Sequence, residues 1–158
     1  METEVESKLV DILYVDDEAN NLFSFKASFR DRYKVITALS AKEAKQLLEE
    51  YEVPMVISDQ RMPEELGVDF LKYVKKKYPR TIRVLLTGFS DLDAVISAVN
   101  DAEIYRYLTK PWNETDIDLT VKNAMEIYNL RKENLSLMKT LKEVNDQLEF
   151  MLRQQFIS

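Results

Sequence analysis

Five side chains able to bind a metal ion or a phosphoryl group follow short apolar runs of the sequence. Asp16 and Asp17 end the first run, Asp59 ends the third, Thr87 ends the fourth and Lys110 follows the fifth. Carboxylates that lie close together need a cation among them, and Mg²⁺ prefers a ligand set made only of oxygens. A lysine and a hydroxyl beside that ion would stabilise phosphoryl transfer, with Asp59 as the natural nucleophile.

Each of these residues also has an ordinary structural role. An Asp at a strand end often caps a helix or forms a turn, Thr87 could begin a turn, and Lys110 could be a solvated charge. The occurrence of all five at successive strand ends favours a shared site.

The elements that would position this site alternate between strand and helix. Apolar runs of strand length cover residues 9–15, 33–38, 55–58, 82–87 and 105–109. Residues 20–32, 41–50, 68–77 and 91–100 lie between them and repeat apolar side chains at helical spacing, with a capping box at residues 40–43. This alternation predicts an α/β fold with a parallel sheet covered by helices on both faces, whose strand ends gather the functional groups at one edge.

Composition excludes several classes of function. The chain has 158 residues, a net charge of -6, no cysteine and no histidine, so thiol chemistry, histidine-based triads and histidine-ligated zinc are excluded. The acidic balance argues against direct nucleic-acid binding. No Gly-rich nucleotide loop exists, because Gly67 and Gly88 are the only glycines and fall in predicted loops. We expect a cytoplasmic chain with no membrane segment.

Residues 113–158 contain no Pro or Gly and predict one long helix. Its core-type positions alternate in steps of three and four, which is a heptad seam. The seam consists of Ile127, Leu130, Asn134, Leu137, Leu141, Val144, Leu148, Met151 and Gln155. A buried Asn134 favours a parallel dimer in register. The alternative is a long helix that folds back onto its own domain.

Four motifs then resemble a known family. Residues 14–18 (YVDDE), 58–63 (SDQRMP) with Gly67, 86–88 (LTG) and 107–111 (YLTKP) are similar to the signature of bacterial two-component response regulator receiver domains, the CheY-like family. The resemblance implies a doubly wound, flavodoxin-like, five-stranded sheet of order 2-1-3-4-5. It implies a receiver domain at residues 8–128, which leaves residues 129–158 as a coiled coil or a linker to an output domain.

The resemblance also implies a role for each site residue. Asp59 is the phosphoacceptor, Asp17 binds Mg²⁺ directly, Asp16 binds it largely through water, and the backbone carbonyl of Arg61 is a further ligand. The phosphodonor would be a sensor histidine kinase or a phosphotransfer protein. The chain itself would not be an enzyme beyond its own phosphorylation and dephosphorylation.

Further implied roles concern the phosphoryl group and the response to it. Thr87 and Lys110 should contact the phosphoryl group, and Tyr107 should turn inward when Thr87 moves. The resemblance implies a cis Lys110–Pro111 peptide bond. Arg61 and Phe89 occupy positions that in the family control access of the hydrolytic water, so we predict a slowly hydrolysing acyl phosphate.

Two other classes of function compete with this interpretation. A Mg²⁺-dependent phosphohydrolase with an Asp nucleophile typically has a second carboxylate two residues later, where this chain has Arg61, which cannot act as a general acid. A coiled-coil scaffold that is not phosphorylated would not need the five site residues. No helix-turn-helix output is visible, and the motifs are also similar to receivers that precede enzymatic outputs such as phosphodiesterases, cyclases or protein phosphatases.

Overall fold

The computed structural model describes residues 8–88, 91, 95–96 and 101–157. Within these residues the strands are β1 Lys8–Leu9, β2 Ile12–Val15, β3 Val35–Ala38, β4 Tyr51–Glu52, β5 Met55–Asp59, β6 Ile82–Thr87 and β7 Arg106–Thr109. The helices are α1 Ala19–Phe29, α2 Ala41–Glu50, α3 Gly67–Lys77 and α4 Glu114–Ile157. The helix predicted at residues 91–100 lies largely outside the described residues.

Five of the strands form one parallel sheet in the order β3-β2-β5-β6-β7. Numbering only these five strands along the chain gives 2-1-3-4-5. The predicted α/β fold with a doubly wound, flavodoxin-like sheet is therefore confirmed.

The three central strands are buried along their whole length because both faces of the sheet are covered. Successive residues of a strand face opposite sides. Leu13 and Val56 pack in one core with α2 and α3, whereas Tyr14 and Ile57 pack in the other core with α1 and the start of α4. This burial on both faces explains why the strands are continuous apolar runs in the sequence.

The first strand differs from the prediction of 9–15. Leu9 belongs to β1, which pairs with β4 in a separate two-stranded sheet, and the main strand begins at Ile12. Asp11 marks the change of partner, because its N–H donates to the Lys34 carbonyl at 2.9 Å and its carboxylate accepts from the Lys34 N–H at 2.7 Å. These two hydrogen bonds direct the chain from β4 to β3.

Side-chain caps determine where α2 and α4 begin. Ser40 Oγ accepts from the Glu43 N–H at 3.1 Å, as the capping box predicts. Asn113 Oδ1 accepts from the N–H groups of Thr115 at 2.8 Å and Asp116 at 3.2 Å. The last helix was predicted to begin at Asn113, which instead is the cap of a helix that begins at Glu114.

Helix α4 has 44 residues and extends over roughly 66 Å at 1.5 Å per residue. Its first part is held against the sheet by Ile117, Val121, Ala124 and Tyr128, which are buried. All side chains from residue 129 to 156 are exposed, so the described part of the helix does not fold back onto the domain. None of the described helices has the length and apolar character needed to cross a membrane.

Candidate functional site

Three carboxylates lie together at the C-terminal edge of the sheet. Asp16 and Asp17 directly follow β2, and Asp59 is the last residue of the neighbouring strand β5. One oxygen atom from each carboxylate lies within 4.8 Å of those from the other two. Asp16 and Asp59 are buried, whereas Asp17 is exposed. The topology thus brings together residues from two separate parts of the chain, positions 16–17 and position 59.

Asp16 is surrounded by hydrogen-bond donors. Its Oδ2 accepts from the Tyr14 hydroxyl at 2.8 Å, the Asn21 amide at 3.2 Å and Lys110 Nζ at 2.9 Å, and its Oδ1 accepts from the Glu18 N–H at 3.0 Å. Burial acts to raise the pKa of Asp16, but these donors outweigh it and hold the pKa below its usual range. Asp16 is therefore a fixed negative charge in the site.

Among the described residues, Asp59 has fewer hydrogen-bond donors around it than Asp16. Its Oδ1 accepts from the Gln60 N–H at 2.8 Å, and its Oδ2 lies 3.0 Å from Lys110 Nζ. Burial raises the pKa of Asp59, the hydrogen bond from Lys110 acts against it, and the charge of Asp16 adds to the rise. The Asp59 carboxylate is stabilised by fewer hydrogen bonds than that of Asp16, so it is the more reactive nucleophile of the two.

Lys110 connects the two buried carboxylates. Its Nζ lies 2.9 Å from Asp16 Oδ2 and 3.0 Å from Asp59 Oδ2. Burial acts to lower the pKa of Lys110, but the hydrogen bonds to both carboxylates outweigh it and raise the pKa, so the ammonium form is stabilised. The peptide bond between Lys110 and Pro111 is cis.

Thr87 is the last residue of β6 and is almost completely buried. Its carbonyl accepts from the Lys110 N–H at 2.9 Å, but its hydroxyl oxygen has no hydrogen-bond partner among the described residues. A buried hydroxyl without a partner costs about 1–3 kcal/mol. The Thr87 hydroxyl is therefore available to an oxygen atom that enters the site.

The charges of the site fit a divalent cation. Three carboxylates and one ammonium group leave two formal negative charges on one small cluster. All available ligand atoms are oxygens, and one carboxylate is open to solvent, which suits an ion that keeps part of its water shell. The residues present therefore fit Mg²⁺.

Gly67 keeps the backbone of Asp59 in place. It was predicted in a loop but is the first residue of α3, where its N–H donates to the Gln60 carbonyl at 3.0 Å. A Cβ at this position would lie 2.1 Å from the Asp59 carbonyl oxygen and 2.9 Å from its carbonyl carbon. Only glycine allows the start of α3 to pack this closely against the end of β5.

The remaining predicted site residues are Tyr107, Arg61 and Phe89. Tyr107 is half-buried on β7 and packs against the core that contains Val56. The Arg61 side chain forms an ion pair with Asp91. Phe89, the other residue predicted to shield the site, lies outside the described residues.

The motifs did not predict that Tyr14 and Asn21 would be partners of Asp16. Tyr14 is completely buried in β2, and Asn21 lies on the first turns of α1. A buried tyrosine usually finds a partner for its hydroxyl. Tyr14 lies two residues before Asp16, and side chains at this spacing along a strand point to the same face. This spacing was the available signal for their hydrogen bond.

The predicted seam of α4 is exposed, except at its start. Ile127 is half-buried and packs against the core of its own domain, and the Asn134 side chain is exposed. The apolar seam residues beyond Ile127 are between 44% and 62% exposed, and they are Leu130, Leu137, Leu141, Val144, Leu148 and Met151. The apolar seam beyond the domain is thus accessible to a partner helix.

Comparison with known proteins gives a consistent result. Residues 12–122 match the family described as the response regulator receiver domain. The hydrogenase transcriptional regulatory protein HoxA of Bradyrhizobium diazoefficiens is 39% identical over 122 residues, which are 77% of this chain and 25% of that protein. The alginate biosynthesis regulator AlgB of Pseudomonas aeruginosa is 31% identical over 139 residues, which are 87% of this chain and 31% of that protein. The chain therefore spans about a quarter to a third of the length of these relatives.

Solved structures with the same fold include isolated receiver domains. The signal receiver domain of an HD domain-containing protein from Pseudomonas fluorescens is 35% identical with a TM-score of 0.73, over 80% of this chain and 93% of that chain. A response regulator receiver domain protein from Clostridium thermocellum is 33% identical with a TM-score of 0.69, over 81% of this chain and 98% of that chain.

Proposed function

The chain belongs to the response regulator receiver domain family, and from this membership we propose that Asp59 is the residue that accepts the phosphoryl group. Receiver domains are the phosphoacceptor signalling modules of two-component systems, in which they act with histidine kinases. The observation that carries the assignment is the position of Asp59, whose carboxylate lies beside Asp16 and Asp17 and 3.0 Å from the Lys110 ammonium.

The family uses Mg²⁺ at its acidic site, and we assign four groups to the ion: the carboxylates of Asp16, Asp17 and Asp59 and the backbone carbonyl of Arg61. Asp17 would bind directly because it is exposed, and Asp16 largely through water because its oxygens already accept hydrogen bonds. When bound, the ion neutralises the oxygens of the incoming phosphoryl group.

The residues of the chain provide the rest of the reaction. A carboxylate oxygen of Asp59 forms a bond to phosphorus while the bond between phosphorus and the leaving group of the donor breaks. The donor is a sensor histidine kinase or a phosphotransfer protein. Lys110 compensates the charge of the transferred group, and the Thr87 hydroxyl donates a hydrogen bond to one of its oxygens.

Thr87 and Tyr107 form the proposed switch. The Thr87 hydroxyl, which is buried and has no partner among the described residues, moves to donate a hydrogen bond to the phosphoryl group. The Tyr107 ring then moves into the space that Thr87 has left. The half-buried position of Tyr107 on the strand next to β6 supports this assignment.

Intact-mass spectrometry tests the phosphoacceptor assignment. Wild type and the Asp59→Asn variant are incubated with acetyl phosphate, with and without Mg²⁺. We expect one phosphoryl group on the wild type, only with Mg²⁺, and none on the variant. Equal uptake by both proteins would place the acceptor elsewhere.

We further propose that residues 8–128 form the receiver unit and that residues 129–158 extend α4 into a parallel dimeric coiled coil. The apolar stripe from Leu130 to Met151 is exposed on the part of α4 that extends beyond the domain. A second copy of the chain presents the same stripe, against which this one can pack. Light scattering with the Leu141→Glu variant tests the dimer, because a charge at the seam should give a monomer. An unchanged mass would remove the seam from the interface.

The chain itself is proposed to have no turnover beyond its own phosphorylation and dephosphorylation. Arg61 stands where an aspartate-nucleophile phosphohydrolase needs its general acid, and its guanidinium is paired with Asp91. A panel of phosphomonoesters tests this proposal. Multiple turnover would revive the hydrolase alternative, whereas labelling that stops at one phosphoryl group agrees with a receiver.

A further inference from the structure

The Tyr14 hydroxyl lies inside the protein and donates to a carboxylate of the functional site. Tyr14 is on β2 and is completely buried, and its hydroxyl oxygen is 2.8 Å from Asp16 Oδ2. Asp16 is completely buried as well. A hydrogen bond to an ionised group is stronger than one between neutral groups, and its strength increases where the surroundings exclude water. The contact between Tyr14 and Asp16 is therefore a strong one.

Two other aromatic rings hold the Tyr14 ring in place. Its centroid is 4.5 Å from that of Phe25 on α1, in a tilted arrangement, and 6.3 Å from that of Trp112, in an edge-on arrangement. Phe25 and Trp112 also contact each other, with their centroids 5.6 Å apart. These distances and angles are the ones that aromatic side chains prefer, and a closely packed interior restricts changes of rotamer. The Tyr14 hydroxyl therefore stays directed at Asp16.

The other two side chains that donate to Asp16 Oδ2 are less fixed. Asn21 is half-buried, and its amide is 3.2 Å from Asp16 and 3.3 Å from a second, exposed carboxylate. Lys110 is shared with the proposed phosphoacceptor and, in the proposed function, compensates the charge of the transferred group. Among the described side chains, Tyr14 is thus the donor to Oδ2 that neither solvent nor the phosphoryl group draws away.

We infer that Tyr14 is a positioning residue for the metal ion of the site, because its hydroxyl fixes the orientation of the Asp16 carboxylate. The inference rests on the proposed function, in which Asp16 is one of the groups assigned to Mg²⁺. Partners outside the coordination shell orient the groups that bind an ion, and the loss of such a partner typically lowers metal affinity about tenfold to a hundredfold. Removing the Tyr14 hydroxyl should therefore weaken ion binding, although the carboxylates all remain.

The experiment measures the binding of Mn²⁺, which prefers the same oxygen ligands as Mg²⁺, from the electron paramagnetic resonance signal of the free ion. Competition with Mg²⁺ then gives the affinity for that ion. Tyr14→Phe keeps the ring and removes the hydroxyl, and we expect both dissociation constants to rise about tenfold. Tyr128→Phe is the matched control, because it removes the hydrogen bond from a buried tyrosine to the Glu52 carboxylate, which precedes β5. Its ion affinity should equal that of the wild type.

Two further measurements separate positioning from structural damage. Asp16→Ala removes the acceptor of the Tyr14 hydroxyl, so adding Tyr14→Phe to it should lower the affinity no further. The wild type and Tyr14→Phe are also labelled with acetyl phosphate over a range of Mg²⁺ concentrations. We expect slower labelling of the variant at low Mg²⁺ and equal rates at saturating Mg²⁺, because the hydroxyl acts through the ion.

Equal or tighter ion binding by Tyr14→Phe would overturn the inference. An equal loss of affinity in Tyr128→Phe, a further loss when Tyr14→Phe is added to Asp16→Ala, or a labelling rate that stays low at saturating Mg²⁺ would overturn it as well. A failure of the proposed function is distinguishable from these outcomes, because the wild type itself would then bind no ion or take up no phosphoryl group.

Discussion

Replacing Gly67 with alanine should destabilise the protein strongly, because the new methyl group has no room. It would lie 2.1 Å from the Asp59 carbonyl oxygen and 3.0 Å from Gln60 Cα, and both atoms belong to the backbone. Favourable contacts need about 3.5 Å, so the start of α3 and the end of β5 must separate by more than about 1 Å. We expect the free energy of unfolding to fall by about 3 kcal/mol. This is the upper end of the usual cost of overpacking, because backbone atoms, unlike a side chain, cannot rotate away from the new methyl group.

Thermal unfolding followed by circular dichroism measures this effect. For a chain of 158 residues, about 3 kcal/mol corresponds to a decrease in Tm of roughly 6–12 °C. Gly88→Ala is the matched control, because among the described residues, chain neighbours aside, the nearest atom to its new Cβ is 4.0 Å away, and its stability should change by less than about 1 kcal/mol. A Gly67→Ala protein that melts within about 2 °C of the wild type would refute the packing argument.

Three further predictions concern other parts of the molecule. Glu52→Gln should cost about 1–2 kcal/mol at neutral pH, because hydrogen bonds from Tyr128 and Lys132 lower the pKa of Glu52. This stability is fully present above the ordinary pKa of Glu and is lost as the pH falls through the lowered pKa, so urea unfolding should show a smaller difference at pH 3 than at pH 7. Thr87→Val should leave stability unchanged or raise it by about 1 kcal/mol, since it removes a buried hydroxyl that has no partner among the described residues. In the same variant, the change in the NMR signals of the Tyr107 ring on phosphorylation should disappear. A change equal to that of the wild type would contradict the proposed switch. Asn134→Leu should raise the melting temperature of the proposed dimer but allow other oligomers in light scattering, and a lower melting temperature would argue against a buried seam.

Much of the fold could be predicted because a few physical rules determine it. The central strands are apolar along their length since helices cover both faces, and parallel strands must present their C-terminal ends at one edge. The position of Asp16, Asp59 and Thr87 at the ends of three neighbouring strands follows from these rules. Their spacing in the chain was sufficient to propose a common site.

Other features depend on contacts that no periodic pattern encodes. Arg83 lies within the apolar run of β6 and is buried, and it donates to the carbonyls of Thr81, Ala102 and Glu103. Its place in the sequence shows a charge inside a strand but not the turn that accepts its hydrogen bonds. The close contact of Gly67 with the Asp59 carbonyl likewise depends on the path of the intervening loop.

The ion pair of Arg61 with Asp91 shows the same limit. The motifs predicted Arg61 as a shield of the phosphoryl group, which stays a prediction, and they did not predict that its guanidinium would pair with Asp91. A pairing across 30 positions between an exposed and a half-buried side chain has no signature in the sequence. The hydrogen bond from Tyr128 to Glu52, across 76 positions, is a second example.

The most direct test of the central claim is to locate the phosphoryl group itself. After incubation with acetyl phosphate and Mg²⁺, borohydride reduces an aspartyl phosphate to homoserine, and tandem mass spectrometry then identifies the converted position. We predict homoserine at position 59 and unmodified aspartate at positions 16 and 17. Conversion of Asp16 or Asp17, or of no aspartate, would contradict the assignment of Asp59 as the phosphoacceptor.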